Sequence, residues 1–202
     1  MAEVKFRFDV EKLVQALAYL ANVGVRKLSK LKAAKLLYFF DKYHLLKYGR
    51  PVLGDVYFCL DHGPIPSASV NLMSEAITPI RIKGWKHPFL DLFDKYLTVD
   101  NKPKYPEFVS KRAPDLDLFS RSELEALEAT VKAYGKKTPW QLRELTHQDP
   151  TWTIPDGDRV SGSRAEIPYG LFFEGQPADV RDLLGLVEDE QEESEFAARI
   201  AR

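Results

Sequence analysis

LKAAKLLYFFDKYHLLKYGRPVLGDVYFCLDHGPIPSAS, residues 31–69, contains the strongest helix signal of the chain. Apolar residues recur at the period of an α-helix and share one broad face, while the opposite face gathers the lysines Lys32, Lys35 and Lys42. Five consecutive apolar residues, 36–40, encircle the helix in its middle, which implies packing partners on several sides. We therefore predict the central helix of the domain over about residues 30–48.

The end of this helix is well specified. Gly49 can adopt the left-handed conformation that closes a helix, and Pro51 cannot continue one. Residues 56–60 then predict a short buried strand. Residues 61–67 follow as a loop whose two prolines and one glycine restrict its shape, and Ser67 can cap the next helix.

A single carboxylate, Asp41, falls among the apolar residues of the central helix. An unpaired buried carboxylate would be strongly destabilising, so Asp41 needs partners. In the structural interpretation it accepts hydrogen bonds from backbone N–H groups or hydroxyls of the segment that follows. In the functional interpretation it is a general acid or base, and Asp61, His62 and His147 converge with it. A buried hydrogen-bond network explains the same residues, and we favour it.

Two separated blocks carry a more specific pattern. The first consists of KLLYFFDKYHL, YGRP, a short apolar strand and HGPIPS, and the second of Leu124, Tyr134, Gly135, Leu142, Leu145, Thr146, His147 and Trp152. In order and spacing they resemble the Panacea domain, the SocA-like antitoxin family, over most of residues 9–155. We take the family-signature residues to be Lys35, Leu36, Leu37, Tyr38, Asp41, His44, Gly49, Pro51, His62, Gly63, Pro64, Pro66, Thr146, His147 and Trp152.

This resemblance implies an antitoxin of a toxin–antitoxin pair, which neutralises a co-encoded protein toxin by binding it directly. Family members are paired with unrelated toxins, so the resemblance does not identify the toxin. It also implies a bacterial protein with a role in phage defence. One alternative is a proteolytic adaptor, which the family also contains and which delivers its partner to a protease. A small hydrolase-type enzyme that uses Asp41 and His62 is a weaker alternative.

Composition favours one folded domain without a membrane anchor. The 202-residue chain is 45% hydrophobic, has no apolar run long enough to span a membrane, and begins without the apolar region of a signal peptide. A single cysteine, Cys59, excludes an internal disulfide and is typical of a reducing compartment, so we expect a cytoplasmic protein. We predict one domain over residues 1–187 and an acidic tail, helical or disordered, over residues 188–202.

Charge and motifs favour a protein partner over a cofactor. The net charge of -1 gives no long-range attraction to nucleic acid. The four histidines and one cysteine show no paired metal-ligand spacing, and no phosphate-binding glycine loop is present, so we expect no metal or cofactor. The candidate partner-binding residues are the cations of a basic stretch, Arg26, Lys27, Lys30 and Lys32.

The remaining elements are predicted from local patterns. Asp9, Ser29 and Thr138 are expected helix caps, and a capping box is expected either at Ser120 with Glu123 or at Ser122 with Glu125. Residues 96–99 and 107–110 predict a hairpin that pairs with the strand at 56–60, and Trp85 and Phe89 belong to an aromatic cluster before it. Residues 155–164 read as an exposed loop, after which Phe172 and Phe173 dock on the domain. The predicted fold is mainly α-helical α+β, a compact helical domain around the central helix with a small antiparallel sheet or hairpin.

Overall fold

The computed structural model describes residues 4–79 and 87–200, the side chains of 190 and 192–200 excepted. The fold is mainly helical α+β, as predicted. The helices are α1 Val10–Asn22, α2 Lys30–Tyr48, α3 Ser67–Ile77, α4 Pro88–Tyr96, α5 Arg121–Tyr134, α6 Pro139–Thr146, α7 Pro150–Asp158 and α8 Ala178–Ile200. The strands are β1 Tyr57–Leu60, β2 Gly63–Pro66, β3 Leu97–Asp100, β4 Glu107–Ser110 and β5 Ala165–Ile167.

Helix α2 is the centre of the domain. Every residue from 32 to 41 is buried, and α3, α5, α6, α8 and β2 all pack against the helix. Partners therefore surround it, as the apolar run at 36–40 predicts. Its end is also confirmed, because Gly49 closes it in the left-handed conformation with φ 74°.

The predicted caps lie where the sequence places them. Asp9 and Ser29 cap α1 and α2, and Ser120 and Thr138 open α5 and α6 with complete capping boxes. The cap predicted at Ser67 is wrong. The carboxylate of Asp55 instead accepts hydrogen bonds from the N–H groups of Ala68 and Ser69 in the first turn of α3, at 2.8 and 2.7 Å.

The strands form two separate antiparallel sheets, β2-β1-β5 and β3-β4. The predicted hairpin of β3 and β4 exists, but its predicted pairing with β1 is wrong, since β2 and β5 occupy both edges of β1. Residues 63–66, expected to be loop, form β2. This edge strand pairs on one side only, which is why it tolerates two prolines.

Two helices were not predicted. Pro88 opens α4 at the first helical position, where a missing N–H costs nothing, and residues 155–158, read as loop, continue α7 past Pro155. Phe89 is buried in the core, whereas Trp85 of the predicted aromatic cluster lies outside the described residues. None of the helices in the described ranges combines the length and apolar character needed to cross a membrane.

The C-terminal segment docks as predicted. Phe172 and Phe173 are buried in a short 3-10 helix, Tyr169–Phe173, which packs against α7, α8 and α2. Helix α8 runs past the domain boundary predicted at residue 187. The side-chain amide of Gln191 exchanges two hydrogen bonds with the backbone of Lys5, at 2.9 and 2.8 Å.

Candidate functional site

Asp41 is fully buried in the middle of α2. Its Oδ1 accepts hydrogen bonds from the backbone N–H groups of Val52 and Leu53, at 3.0 and 2.8 Å. Its Oδ2 accepts one from the Tyr57 hydroxyl at 3.0 Å. All three donors belong to the segment that follows the helix, so the structural interpretation of Asp41 is confirmed.

The charge state of Asp41 is set by opposing effects. Burial raises its pKa, the three hydrogen bonds lower it in part, and the carboxyl of Asp55 raises it, which leaves the pKa at about 7. Burial is therefore the largest influence on this carboxyl, and the three hydrogen bonds offset it only in part.

We expect Asp41→Ala to lower the free energy of unfolding by about 1–3 kcal/mol, because three buried donors lose their acceptor. Asp41→Asn is expected to cost less. Its amide oxygen can keep both backbone bonds, and its amide nitrogen can donate to Tyr57. Urea unfolding of the two variants measures the difference, and an equal loss in both would contradict this role.

The acid–base group considered for Asp41, Asp61, His62 and His147 is not assembled. Asp41 is sealed in the core, whereas His62 is exposed and packs edge-on against Trp140 with ring centres 5.9 Å apart. His62 also follows the far end of β1 from Tyr57, the partner of Asp41.

Asp61 and His147 each have a different environment. Asp61 is exposed and forms an ion pair with Arg159 at 2.6 Å, which lowers the pKa of its carboxyl. His147 stacks on Trp152, with ring centres 3.8 Å apart and planes 10° from parallel. The enzyme alternative based on Asp41 and His62 therefore lacks its catalytic geometry.

The structure instead brings the two signature blocks together around β2. We call this contact the signature junction, and it comprises Lys35, Gly63, Pro64, Thr146 and His147. The Lys35 ammonium donates to the Pro64 carbonyl at 2.8 Å. A Cβ on Gly63 would lie 2.5 Å from Thr146 Oγ1 and 2.6 Å from Lys35 Nζ, so α2, β2 and α6 meet here at the closest distance that glycine allows.

Trp152 extends this contact to α7. Its indole Nε1 donates to the Leu60 carbonyl at 2.9 Å, at the end of β1. His147 lies between Trp152 and Gly63, and its Nε2 is buried without a hydrogen-bond partner among the described residues. Burial lowers the pKa of His147, which is consistent with a neutral ring in this position.

Lys35 was expected on an exposed face, and that prediction is wrong. Its side chain is completely buried, and burial lowers its pKa to about 7. The positive charge of Arg143 also lowers this pKa, while Cys59 acts in the opposite sense. Because no solvent reaches the amine, its position suits a structural bond to Pro64 rather than chemistry on an external substrate.

The other signature residues also make internal contacts. Leu36 and Leu37 are core residues, and the Tyr38 hydroxyl bonds Thr151 at 2.7 Å. His44 bridges the Arg50 carbonyl at 2.7 Å and the Ser122 hydroxyl at 3.0 Å. Buried glycines and prolines complete the set, namely Gly49 and Pro51 after α2, and Gly63, Pro64 and Pro66 of β2. His62 is the exception, since it is exposed.

The basic stretch divides into surface and interior cations. Arg26, Lys27 and Lys30 are exposed, as predicted for partner-binding residues. Lys32 is only 3% exposed, so its predicted exposed position is wrong. Its ammonium donates to the carbonyls of Arg26 and Gly135, both at 2.8 Å, and therefore joins the loop before α2 to the loop after α5.

Within the described ranges, no group of three or more His, Cys, Asp and Glu side chains is placed to hold a metal ion. The protein is therefore a mainly helical α+β domain in which the family-signature residues, apart from the exposed His62, make internal contacts. The family model described as antitoxin SocA-like, Panacea domain, matches residues 34–153, more than half of the chain. The chain belongs to this family. Neither the curated proteins nor the solved structures gave a match.

Proposed function

We propose that this protein is an antitoxin that neutralises a co-encoded protein toxin by direct binding, without catalysis. The family match over residues 34–153 carries the proposal. The internal use of the signature residues supports it, because Lys35, Asp41 and Thr146 are fully buried and cannot reach an external substrate. Recognition is then left to exposed residues outside the signature.

Growth rescue tests this proposal. Expression of the neighbouring gene alone is expected to arrest growth, and co-expression of this protein to restore it, with both proteins recovered as a complex. Rescue by the double variant Asp41→Asn, His62→Ala is expected to equal that of the parent, because neither residue has a catalytic task. Arrest that persists in the presence of the parent protein would contradict the proposal.

Two further arms of the same experiment define the functional unit. We place neutralisation in residues 1–187, so a chain that lacks the acidic tail 188–202 is expected to rescue growth. Rescue is also expected in strains that lack the major cytoplasmic proteases, since binding alone suffices. Dependence on one of them would instead favour the proteolytic adaptor.

A further inference from the structure

A cationic groove lies beside the first turn of α2. It has a volume of about 590 Å³ and is lined by five cationic residues and by no carboxylate: Arg26, Lys27, Lys32, Lys136 and Lys137. The loop before α2 supplies Arg26 and Lys27, the loop between α5 and α6 supplies Lys136 and Lys137, and the first turn of α2 supplies Lys32. Apart from Lys32, their side chains form no ion pair or side-chain hydrogen bond with any residue in the described part of the chain.

The two walls of the groove are fixed to each other. Lys32 holds them together through its bonds to the carbonyls of Arg26 and Gly135. Lys27 has φ 54°, and within the described ranges it is the only non-glycine residue with positive φ. This conformation is disfavoured for a residue with a Cβ and is found preferentially at functional positions. A lysine therefore occupies a site where glycine would be less strained.

An apolar groove of about 350 Å³ continues from the cationic one, and Pro139 lines both. Its walls include Trp140 and Tyr105, which are 56% and 59% exposed. Leu31 and Ile77 also line it. Exposed tryptophan and tyrosine beside a groove are typical of residues that contribute most of the affinity in protein interfaces.

We propose that these two grooves form the surface that binds the toxin, and that they accept a segment with apolar side chains at one end and carboxylates at the other. The proposal rests on the proposed antitoxin function for the identity of the partner. The apolar groove takes the apolar side chains against Trp140 and Tyr105, and the cationic groove takes the carboxylates. Unpaired cations on facing walls attract an acidic segment and orient it during association.

An acidic protein segment fits these grooves better than a nucleic acid does. The whole chain has a net charge of -1, so a long polyanion gains little outside the groove. A short acidic segment needs only the local cations. The cationic groove is also confined to one end of α2, which matches a short segment and not an extended phosphate backbone.

The full-length protein and three fluorescent probes test the proposal by anisotropy. The probes are a short peptide with an apolar half and a glutamate half, the same peptide with glutamine in place of glutamate, and a single-stranded RNA. The parent is expected to bind the glutamate peptide at least about tenfold more tightly than the glutamine peptide at low salt. That preference is expected to shrink as salt screens the charges.

Variants assign the effect to each groove. Arg26→Glu with Lys27→Glu is expected to abolish the preference for glutamate. Trp140→Ala is expected to weaken the binding of both peptides by about tenfold. Lys27→Gly separates binding from stability, because it is expected to weaken the binding of the glutamate peptide while the melting temperature of the protein stays equal or rises. A matched control reverses two exposed cations elsewhere, Arg121→Glu with Arg181→Glu, and is expected to bind as the parent does.

Three outcomes would overturn the proposal. The first is equal binding of the glutamate and glutamine peptides to the parent. The second is a preference for the glutamate peptide in the Arg26→Glu, Lys27→Glu variant that equals the preference of the parent. The third is tighter binding of the RNA than of the glutamate peptide. None of these measurements requires the toxin. Failure of the docking surface is therefore distinguishable from failure of growth rescue, which tests the antitoxin function itself.

Discussion

Replacement of Gly63 by alanine is expected to lower the free energy of unfolding by about 3 kcal/mol or more. Gly63 has φ 88°, and a Cβ there would lie 2.5 Å from Thr146 Oγ1 and 2.6 Å from Lys35 Nζ. Neither neighbour can withdraw easily. Thr146 is fully buried and donates to the Arg143 carbonyl at 2.8 Å, while Lys35 is fully buried and bound to Pro64.

Gly162→Ala provides the matched control for this prediction. Gly162 has a similar backbone conformation, φ 79°, but apart from its two chain neighbours no other described residue has an atom within 4 Å of the position its Cβ would take. It should therefore lose only the conformational contribution, about 1 kcal/mol. Urea unfolding of both variants separates backbone strain from packing. If both variants lose the same free energy of unfolding, the signature junction accommodates a methyl group without a packing cost, and the structural role assigned to Gly63 is wrong.

Local signals predicted much of the fold. The apolar run at 36–40 and the closing Gly49 located α2, and the capping boxes at Ser120 and Thr138 located α5 and α6. These signals work because each lies within a few residues of the structure it specifies. Asp41 was also correctly interpreted, since a carboxylate among apolar residues has few alternatives to a hydrogen-bonded site.

Burial of the lysines could not be predicted in the same way. Lys32 and Lys35 occupy the polar face of the helical pattern, but their flexible stems carry the ammonium groups to acceptors on other segments. Those acceptors, the carbonyls of Gly135 and Pro64, are 103 and 29 residues away in the chain. No local pattern marks them. Strand β2 was not predicted for a related reason. Two prolines, Pro64 and Pro66, argue against a strand unless it lies at the edge of a sheet, and the local sequence does not show that β2 is an edge strand.

The candidate site was only partly predictable. Two blocks in a fixed order indicated a family, but not which of their residues touch. Asp41 and His62 were considered together only in the weaker enzyme alternative, and the hydrogen bond of Asp41 with Tyr57 places Asp41 at the opposite end of β1 from His62. The cationic groove was only partly predictable. Arg26, Lys27 and Lys32 belong to the predicted basic stretch, whereas Lys136 and Lys137 join them only through the fold.

Lys35 is expected to make stability rise with pH above neutrality. Burial lowers the pKa of its amine to about 7 in the folded protein, from an ordinary value of 10.5. Between these values the unfolded chain binds a proton that the folded chain does not. Raising the pH removes the proton that favours unfolding, so this group adds up to about 1.4 kcal/mol of stability per pH unit. Below about pH 7 both states are protonated, and its contribution no longer changes.

The variant Lys35→Met isolates this contribution. Urea unfolding of parent and variant is compared from pH 7 to about 9.5, a range in which the ionisation of Cys59 and of tyrosines is common to both proteins. Lys32, whose pKa is also lowered by burial, is present in both proteins, so its effect cancels in the difference. The stability of the parent relative to the variant is expected to rise by about 2–3 kcal/mol across this range. Parallel pH profiles would mean that Lys35 keeps its proton in the folded protein, with a carboxylate or solvent close enough to stabilise the charge.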